Sequence, residues 1–364
     1  MPGFNGQLRS NEIFSALYNM IISQQVFADN ISGTNATLME MNRVDGGLYG
    51  DTKLYYATDV LKSSPWGNDA EATNLLQLHR PKAPNVQAIH LDQFRQISLT
   101  VDNYLSKRAW STEGAFSEFN GVMLGWIRET KRVYDSTLFN SYVGTAETSV
   151  GLQKRTVTLP SQSGDTEATN RLQAQAIAED IANLFVELAD VSRDFNDYGN
   201  LRSYSTDSLI VVWNAQYLNK IKKVDLPTIF HKDGLIEKMG EYQLPARYFG
   251  TVNASGGTVS ASNTTIRSLY EADYEVSEKT YHVFPGDLLP DGATYTANTT
   301  YTEDNTIMYK VMYRRSVPFM SAFEVGTTFF NPKSLTENHY LTWGYNTLEY
   351  LKNYPFITVR GSAE

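Results

Sequence analysis

The chain has 364 residues, 41% of them hydrophobic and 20% charged, which suits a folded core and excludes a disordered chain. With 31 Lys and Arg against 40 Asp and Glu, the net charge is −9, which excludes coating naked DNA by bulk charge. There is no Cys, so disulfides, thiolate metal sites and cysteine nucleophiles fall away together. No run approaches the roughly eighteen apolar residues of a membrane helix, and MPGFNGQLRS is not a signal peptide.

The chemistry scan is empty. His79, His90, His231, His282 and His339 show no metal-ligand spacing, and there is no HExxH, GxSxG, Walker A or GxGxxG motif. Carboxylates are plentiful, but no pair stands out as a glycosidase couple. The expectation is no enzyme, no metal and no cofactor, and a structural or binding role.

In chain order, residues 1–45 read as an arm with one amphipathic helix candidate, Asn11 to Phe27, carried by Ile13, Phe14, Leu17, Met20 and Ile21. Residues 46–110 read as a long β excursion. DTKLYYATDV opens it, an irregular middle holds Pro65, Pro81 and Pro84, and VQAIHLDQFRQISLTVD returns with the period-two pattern of a half-exposed strand. A two-stranded ribbon is marginal in water, so this one needs something to lie on.

The spacing predicts a long helix over 112–144. Phe116, Phe119, Met123, Trp126, Ile127, Thr130, Tyr134, Leu138 and Tyr142 recur at steps of three and four, and Gly144 closes the run. About 28 helical residues make a rod of roughly 42 Å. Gly121 and Gly125 inside it each cost up to about 1 kcal/mol, so a bend or a close contact is expected there. A second helix is expected over 167–195, with Leu172, Ile177, Ile181, Leu184, Leu188, Val191 and Phe195 as its stripe and Gly199 beyond its end.

SLIVVWNAQYLNKI then reads as a strand buried on both faces, Leu209 to Trp213, followed by a helix capped by Asn214. Residues 265–305 hold two basic residues, Arg267 and Lys279, against eight acidic ones. Glu271, Asp273 and Glu275 alternate with Ala272, Tyr274 and Val276, which places three acids on one strand face. A solvated face explains them most simply; a divalent cation or a basic partner is the sharper alternative. Residues 306–359 are β-rich and aromatic, and the whole chain has 23 Tyr, a residue suited to interfaces and to sheets.

This order of elements resembles the major capsid protein of tailed double-stranded DNA bacteriophages, the α+β Hong Kong 97-type fold. DTKLYYATDV and VQAIHLDQFRQISLTVD resemble the two strands of its extended E-loop, TEGAFSEFNGVMLGWIRETKRVYDSTLFNSYVG its spine helix, and SLIVVWNAQYLNKI the entry to its axial (A) domain. The resemblance implies an N-terminal arm (1–45), an E-loop (46–110), a peripheral (P) domain (111–205), an A domain (206–320) and a return to the P domain (321–364). It implies self-assembly as hexamers and pentamers into a virion shell, built in the host cytoplasm around packaged DNA that the wall touches only weakly. The partners it implies are a portal and, with no helical extension ahead of the spine, a separate scaffolding protein.

Under that reading Tyr55, Tyr56, Trp66 and Phe94 are candidate interface anchors. Phe119, Met123, Trp126 and Ile127 pack the spine helix, which bends at Gly121 or Gly125. Some members of the family cross-link a Lys to a neighbour's Asn; Lys53, Lys62, Asn346 and Asn353 are the residues that could be cast in those roles. The competing readings are an encapsulin-type compartment, another phage structural protein, and an acidic, Tyr-rich carbohydrate-active enzyme or binding module.

Overall fold

The computed structural model describes residues 37–46, 51–63, 78, 80–102, 113–162, 164–223, 240–253, 272–276, 279–283 and 300–363. The arm helix expected over Asn11–Phe27, and Trp66 and Glu271, lie outside them. Helix α1 (Thr37–Asn42) runs directly into the short strand β1 (Arg43–Asp45). Strands β2 (Thr52–Ala57) and β3 (Asn85–Asp102) follow, then the 33-residue helix α2 (Glu113–Thr145). Next come β4 (Lys154–Leu159), α3 (Thr166–Ala189), β5 (Leu209–Asn214), α4 (Ala215–Lys223) and β6 (Gly240–Leu244). Two short antiparallel pairs involve β7 (Gly250–Asn253) with β10 (Thr300–Glu303), and β8 (Ala272–Val276) with β9 (Lys279–Val283). The chain closes with β11 (Ile307–Tyr313), β12 (Phe319–Asn331), β13 (Thr336–Asn346) and β14 (Phe356–Ala363).

The architecture is mixed α+β, with two five-stranded sheets. Sheet I has the order β1-β12-β13-β3-β2 and sheet II the order β4-β14-β11-β5-β6. In each, antiparallel pairs are joined to at least one parallel one: β1 with β12 in sheet I, β4 with β14 and β5 with β6 in sheet II. Sheet II takes β5, β6 and β11 from within 206–320 and β4 and β14 from outside it, so its core crosses both of those expected boundaries.

Sheet II is covered on both sides. Every residue of Leu209–Asn214 is buried, as the unbroken apolar run predicts. Ile210 and Val212 face a core that includes Phe139 and Val143 of α2, while Leu209, Val211 and Trp213 face Ile181, Leu184 and Phe185 of α3. In β11 the register to β14 shifts between Ile307 and Tyr309, and this bulge turns Met308 and Tyr309 together toward the α3 side. The Asn214 side chain accepts from the Gln216 amide, so it caps α4 as its position suggests, and Leu218 of that helix is buried.

Helix α2 is about 50 Å long. Its second half packs into a core shared by both sheets, which also holds Trp343 and Tyr345 of β13. The expected stripe at Tyr134, Leu138 and Tyr142 is only partly buried, and the fully buried positions are Phe139 and Val143. A helix enclosed on several sides draws core residues from more than one stripe.

Gly144 does not end α2, which runs on to Thr145. A Cβ at Gly144 would stand 2.0 Å from the Tyr248 carbonyl oxygen, so the glycine lets the helix approach the 3-10 turn Ala246–Tyr248. Helix α3 stops at Ala189, six residues short of the expected end. Its N-terminus is capped by Asp165, which accepts from the Glu167 and Ala168 amides. Ile177, Ile181, Leu184 and Leu188 are buried as expected, but Leu172 (39% exposed) and Val191 (57%) are not. Val191 and Phe195 sit beyond the helix, in a loop that folds back on the body.

Candidate functional site

Among the described residues, sheet I is covered on one face only. Along β3 the odd-numbered residues point inward, with Ile89, Leu91, Gln93 and Val101 buried and Ile97 and Leu99 half-buried. The even-numbered residues point outward. Directly paired residues share a face, so the register carries this outer face across the sheet: Leu54 opposite Ala88, Tyr56 opposite Val86, Gly344 opposite Phe94, Thr342 opposite Gln96, and Phe329 opposite Asn338. Eighteen residues at about 3.3 Å each make this face roughly 60 Å long.

Large apolar side chains stand exposed along it: Leu54, Tyr56 (63% exposed) and Val86 at the ribbon end, Phe94 mid-strand, and Val325 and Phe329 (62%) on β12. Beside the last two, across β13 and β3, runs a polar ladder in which Gln96 donates to Thr342 at 2.9 Å and Thr100 to Asn338 at 2.6 Å. At the tip of the β12–β13 hairpin Phe330 and Leu335 are exposed as well. Leu335 adopts φ 56°, the left-handed region, where a branched L residue costs about 1–2 kcal/mol and Gly or Asn would not. Strain of this kind gathers at functional positions.

The sequence-derived anchors separate on this surface. Tyr56 is open. Tyr55, one position on, faces inward beside the small cluster of Ile89, Leu91 and Met320, and burial raises its phenol pKa, with Tyr354 adding to it. Phe94 lies across Gly344, where an added Cβ would meet its ring at 2.8 Å, so its ring closes a gap in its own sheet as well as facing out. Leu54, Val86, Val325 and Leu335 escape a reading based on aromatic content alone. The alternation of KLYYA and of VQAIHLDQF was the signal for the first two.

In α2, Ile127 is buried and Trp126 half-buried. Gly121 and the side chains of Phe119 and Met123 belong to the part of the helix where only the backbone is described. A Cβ at Gly125 would meet nothing within 4 Å, so close packing does not account for that glycine. Asp273 and Glu275 lie two apart in β8, opposite His282 and Thr280 of β9. Among the described residues no group of three His, Asp or Glu is placed to hold a metal ion.

Of the cross-linking candidates, Asn346 is fully buried and fully used. Its Oδ1 accepts from the Met320 amide at 2.7 Å and its Nδ2 donates to the Pro318 and Thr347 carbonyls, both at 3.0 Å. An attacking amine has no path to it. Lys53 pairs with Asp51 at 3.6 Å, and Asn353 accepts from Asn200.

Two buried charges sit where α2 meets the sheets. Asp135 accepts from Trp343 Nε1 at 3.2 Å and lies 3.6 Å from Lys131, which also reaches Glu324 at 3.0 Å. Burial pushes Asp135 up to about 6 despite Lys131. Lys310 of β11 donates to the Ala146 carbonyl at 2.7 Å and lies over the Phe356 ring. Burial lowers it to about 7, with Glu147 opposing that shift.

No family model matches the chain, and no curated protein matches it. Solved structures do. A chain in the capsid structure of Staphylococcus phage Andhra superposes with a TM-score of 0.57 at 10% identity, covering 88% of this chain and 83% of that one. A chain in the structure of head fiber and inner core protein gp22 of native bacteriophage P68 superposes with a TM-score of 0.55 at 11% identity, covering 87% and 82%. The chain therefore has the fold found in phage capsid structures, over nearly its whole length.

Proposed function

We propose that the chain is a major capsid protein, a subunit that assembles with copies of itself into the shell of a phage virion. The observation that carries this reading is the capsid fold combined with a sheet face about 60 Å long that the described residues leave uncovered. The β2–β3 ribbon takes the part of the E-loop, α2 that of the spine helix, and the segment entered through β5 and α4 that of the A domain. Helices α2 and α3, with the strands that return over 321–364, take the part of the P domain.

The mechanism is many modest contacts reinforced by closure of the shell. The apolar groups at the two ends of the face, Tyr56 at one and Phe329 with Leu335 at the other, are the anchors of contacts between copies. Aromatic groups dominate such energetics, and a stable contact buries about 800 Å² per partner. Net acidity keeps the inner wall from gripping packaged DNA, since affinity climbs with each phosphate neutralised. A portal and a separate scaffolding protein complete the assembly. Its role is architectural and needs no catalytic group.

The test is light scattering and negative-stain microscopy of the native protein and of Tyr56→Ser and Phe329→Ser. Megadalton shells or capsomer rings from the native chain, lost in the variants while their circular dichroism and Tm stay native, bear the reading out. A native chain that remains a 41.0 kDa monomer with or without its scaffolding protein overturns it. Nucleic acid inside the shells, and not a protein cargo, separates a virion from a compartment.

A further inference from the structure

The ribbon is held to the body at the end where β2 passes into its connection to β3. Just past β2, the Asp59 carboxylate gathers three donors: Oδ1 accepts from the Leu201 amide at 3.0 Å and the Val60 amide at 2.9 Å, and Oδ2 from Arg193 Nη1 at 2.7 Å. Arg202 donates to the Thr58 carbonyl. On the returning strand, the buried Gln87 donates to the Tyr350 carbonyl at 3.0 Å and accepts from the Lys352 amide at 3.0 Å. Asp92 accepts from both the amide and the hydroxyl of Thr347 at 2.7 Å.

These two grips are one unit. The 190–204 loop is braced within itself by reciprocal 2.9 Å bonds between Ser192 and Arg202, and by Asn196, which donates to the Asn200 carbonyl and accepts its amide. Gly199 turns the loop at φ 63°. The loop is then tied to 347–354. The Asp197 amide donates to the Lys352 carbonyl at 2.7 Å, and its carboxylate accepts from Tyr350, Thr148 and Gln153. Asn200 donates to Asn353 Oδ1 at 3.2 Å, and Tyr204 donates to the Asn353 carbonyl at 3.0 Å. Segments more than 130 residues apart in sequence thus hold the outgoing and the incoming strand of the ribbon at a single braced junction.

We infer that the 190–204 loop is a strap whose Asp59 contact fixes how the β2–β3 ribbon lies against its own subunit, and so the angle at which neighbouring copies meet in the shell. The contact is ionic and stays so in acid, because the Leu201 amide and then Arg193 hold Asp59 down at about 2. The strap's effect on shell geometry rests on the capsid reading; its existence within one subunit does not.

The experiment separates the two. Hydrogen exchange is read on peptides covering 58–62 and 199–203 of the purified subunit, for the native chain, Asp59→Ala, Arg193→Ala and the double variant. Asp59→Asn, which keeps an acceptor for the two amides, serves if Asp59→Ala misfolds. Exchange at least tenfold faster in Asp59→Ala, with the double variant no faster than the faster single one, is the expected result. In assembly, the variants are expected to give shells of altered or mixed diameter. Unchanged exchange in Asp59→Ala and Arg193→Ala, or loosened exchange with shells of native diameter, overturns the strap. Native subunits with a protected junction that never form shells overturn the capsid reading instead.

Discussion

The two large sheets of this protein are built from similar residues and end in opposite states. Sheet II is closed by its own subunit, with α2 on one side and α3 on the other, and its inner strand β5 has no exposed residue. Sheet I is covered, among the described residues, on one side only, and along its other face it holds apolar groups in water. The lesson is one of division of labour: the buried faces stabilise the subunit, whereas the outer face of sheet I carries the apolar groups that the capsid reading assigns to contacts between copies. Exposed apolar patches of this kind mark interaction surfaces.

The largest effect is at Phe139, whose side chain is fully buried against Phe319 in the core that both sheets share with α2. Phe139→Ala is expected to cost about 3–5 kcal/mol in urea unfolding of the subunit. Tyr56→Ala and Phe329→Ala should stay within about 0.5 kcal/mol of native in the same measurement while weakening assembly. If the surface variants destabilise the subunit as much as Phe139→Ala, the division of labour fails.

Acid titration sharpens the comparison at the seam of α2 and sheet I. Because Asp135 is raised from 3.8 to about 6 in the folded state, the stability it contributes is fully present below about pH 4 and is lost as the pH rises to about 6. That is on the order of 3 kcal/mol. Asp135→Asn should remove this slope from Tm measured between pH 4 and 6.5. Lys310 works on the alkaline side. Lowered from 10.5 to about 7, its contribution is present above about pH 10 and is lost as the pH falls to about 7, so Lys310→Met should flatten the rise in stability between pH 7 and 10.

Gly144→Ala, with its Cβ driven into the Tyr248 carbonyl, is expected to cost about 1–3 kcal/mol by thermal unfolding. Leu335→Gly runs the other way. It relieves the left-handed leucine, so subunit stability should be unchanged or rise by up to about 1 kcal/mol, while shell yield falls. The smallest effect is Gly125→Ala, which meets open space and should stabilise α2 by up to about 1 kcal/mol. Assembly and maturation left unchanged by Gly125→Ala would count against a bend at that residue.

The sequence by itself determined the elements whose pattern is local. The period-two run of 86–102, the steps of three and four in 112–144, the apolar block at 209–213 and the Asn214 cap are each written in neighbouring residues, and the structure has a strand at 85–102, a helix at 113–145, a buried strand at 209–214 and the Asn214 cap. Their order was enough to suggest the fold. What only the tertiary structure decided is which faces are left uncovered and what grips what. Tyr55 and Tyr56 are adjacent and identical in type, yet one is shielded and one is open, because strand register and the 347–354 segment decide it. Gly144 read as a helix stop, yet it serves an approach to Tyr248, about a hundred residues further along the chain. Leu172 and Val191 fit a helical stripe, but α3 ended early and its neighbours covered a narrower arc. The strap at Asp59 joins 59, 193 and 201, and no local period records such a contact: the residues carry the hydrogen-bonding groups, but only the folded chain brings them within 3 Å of one another.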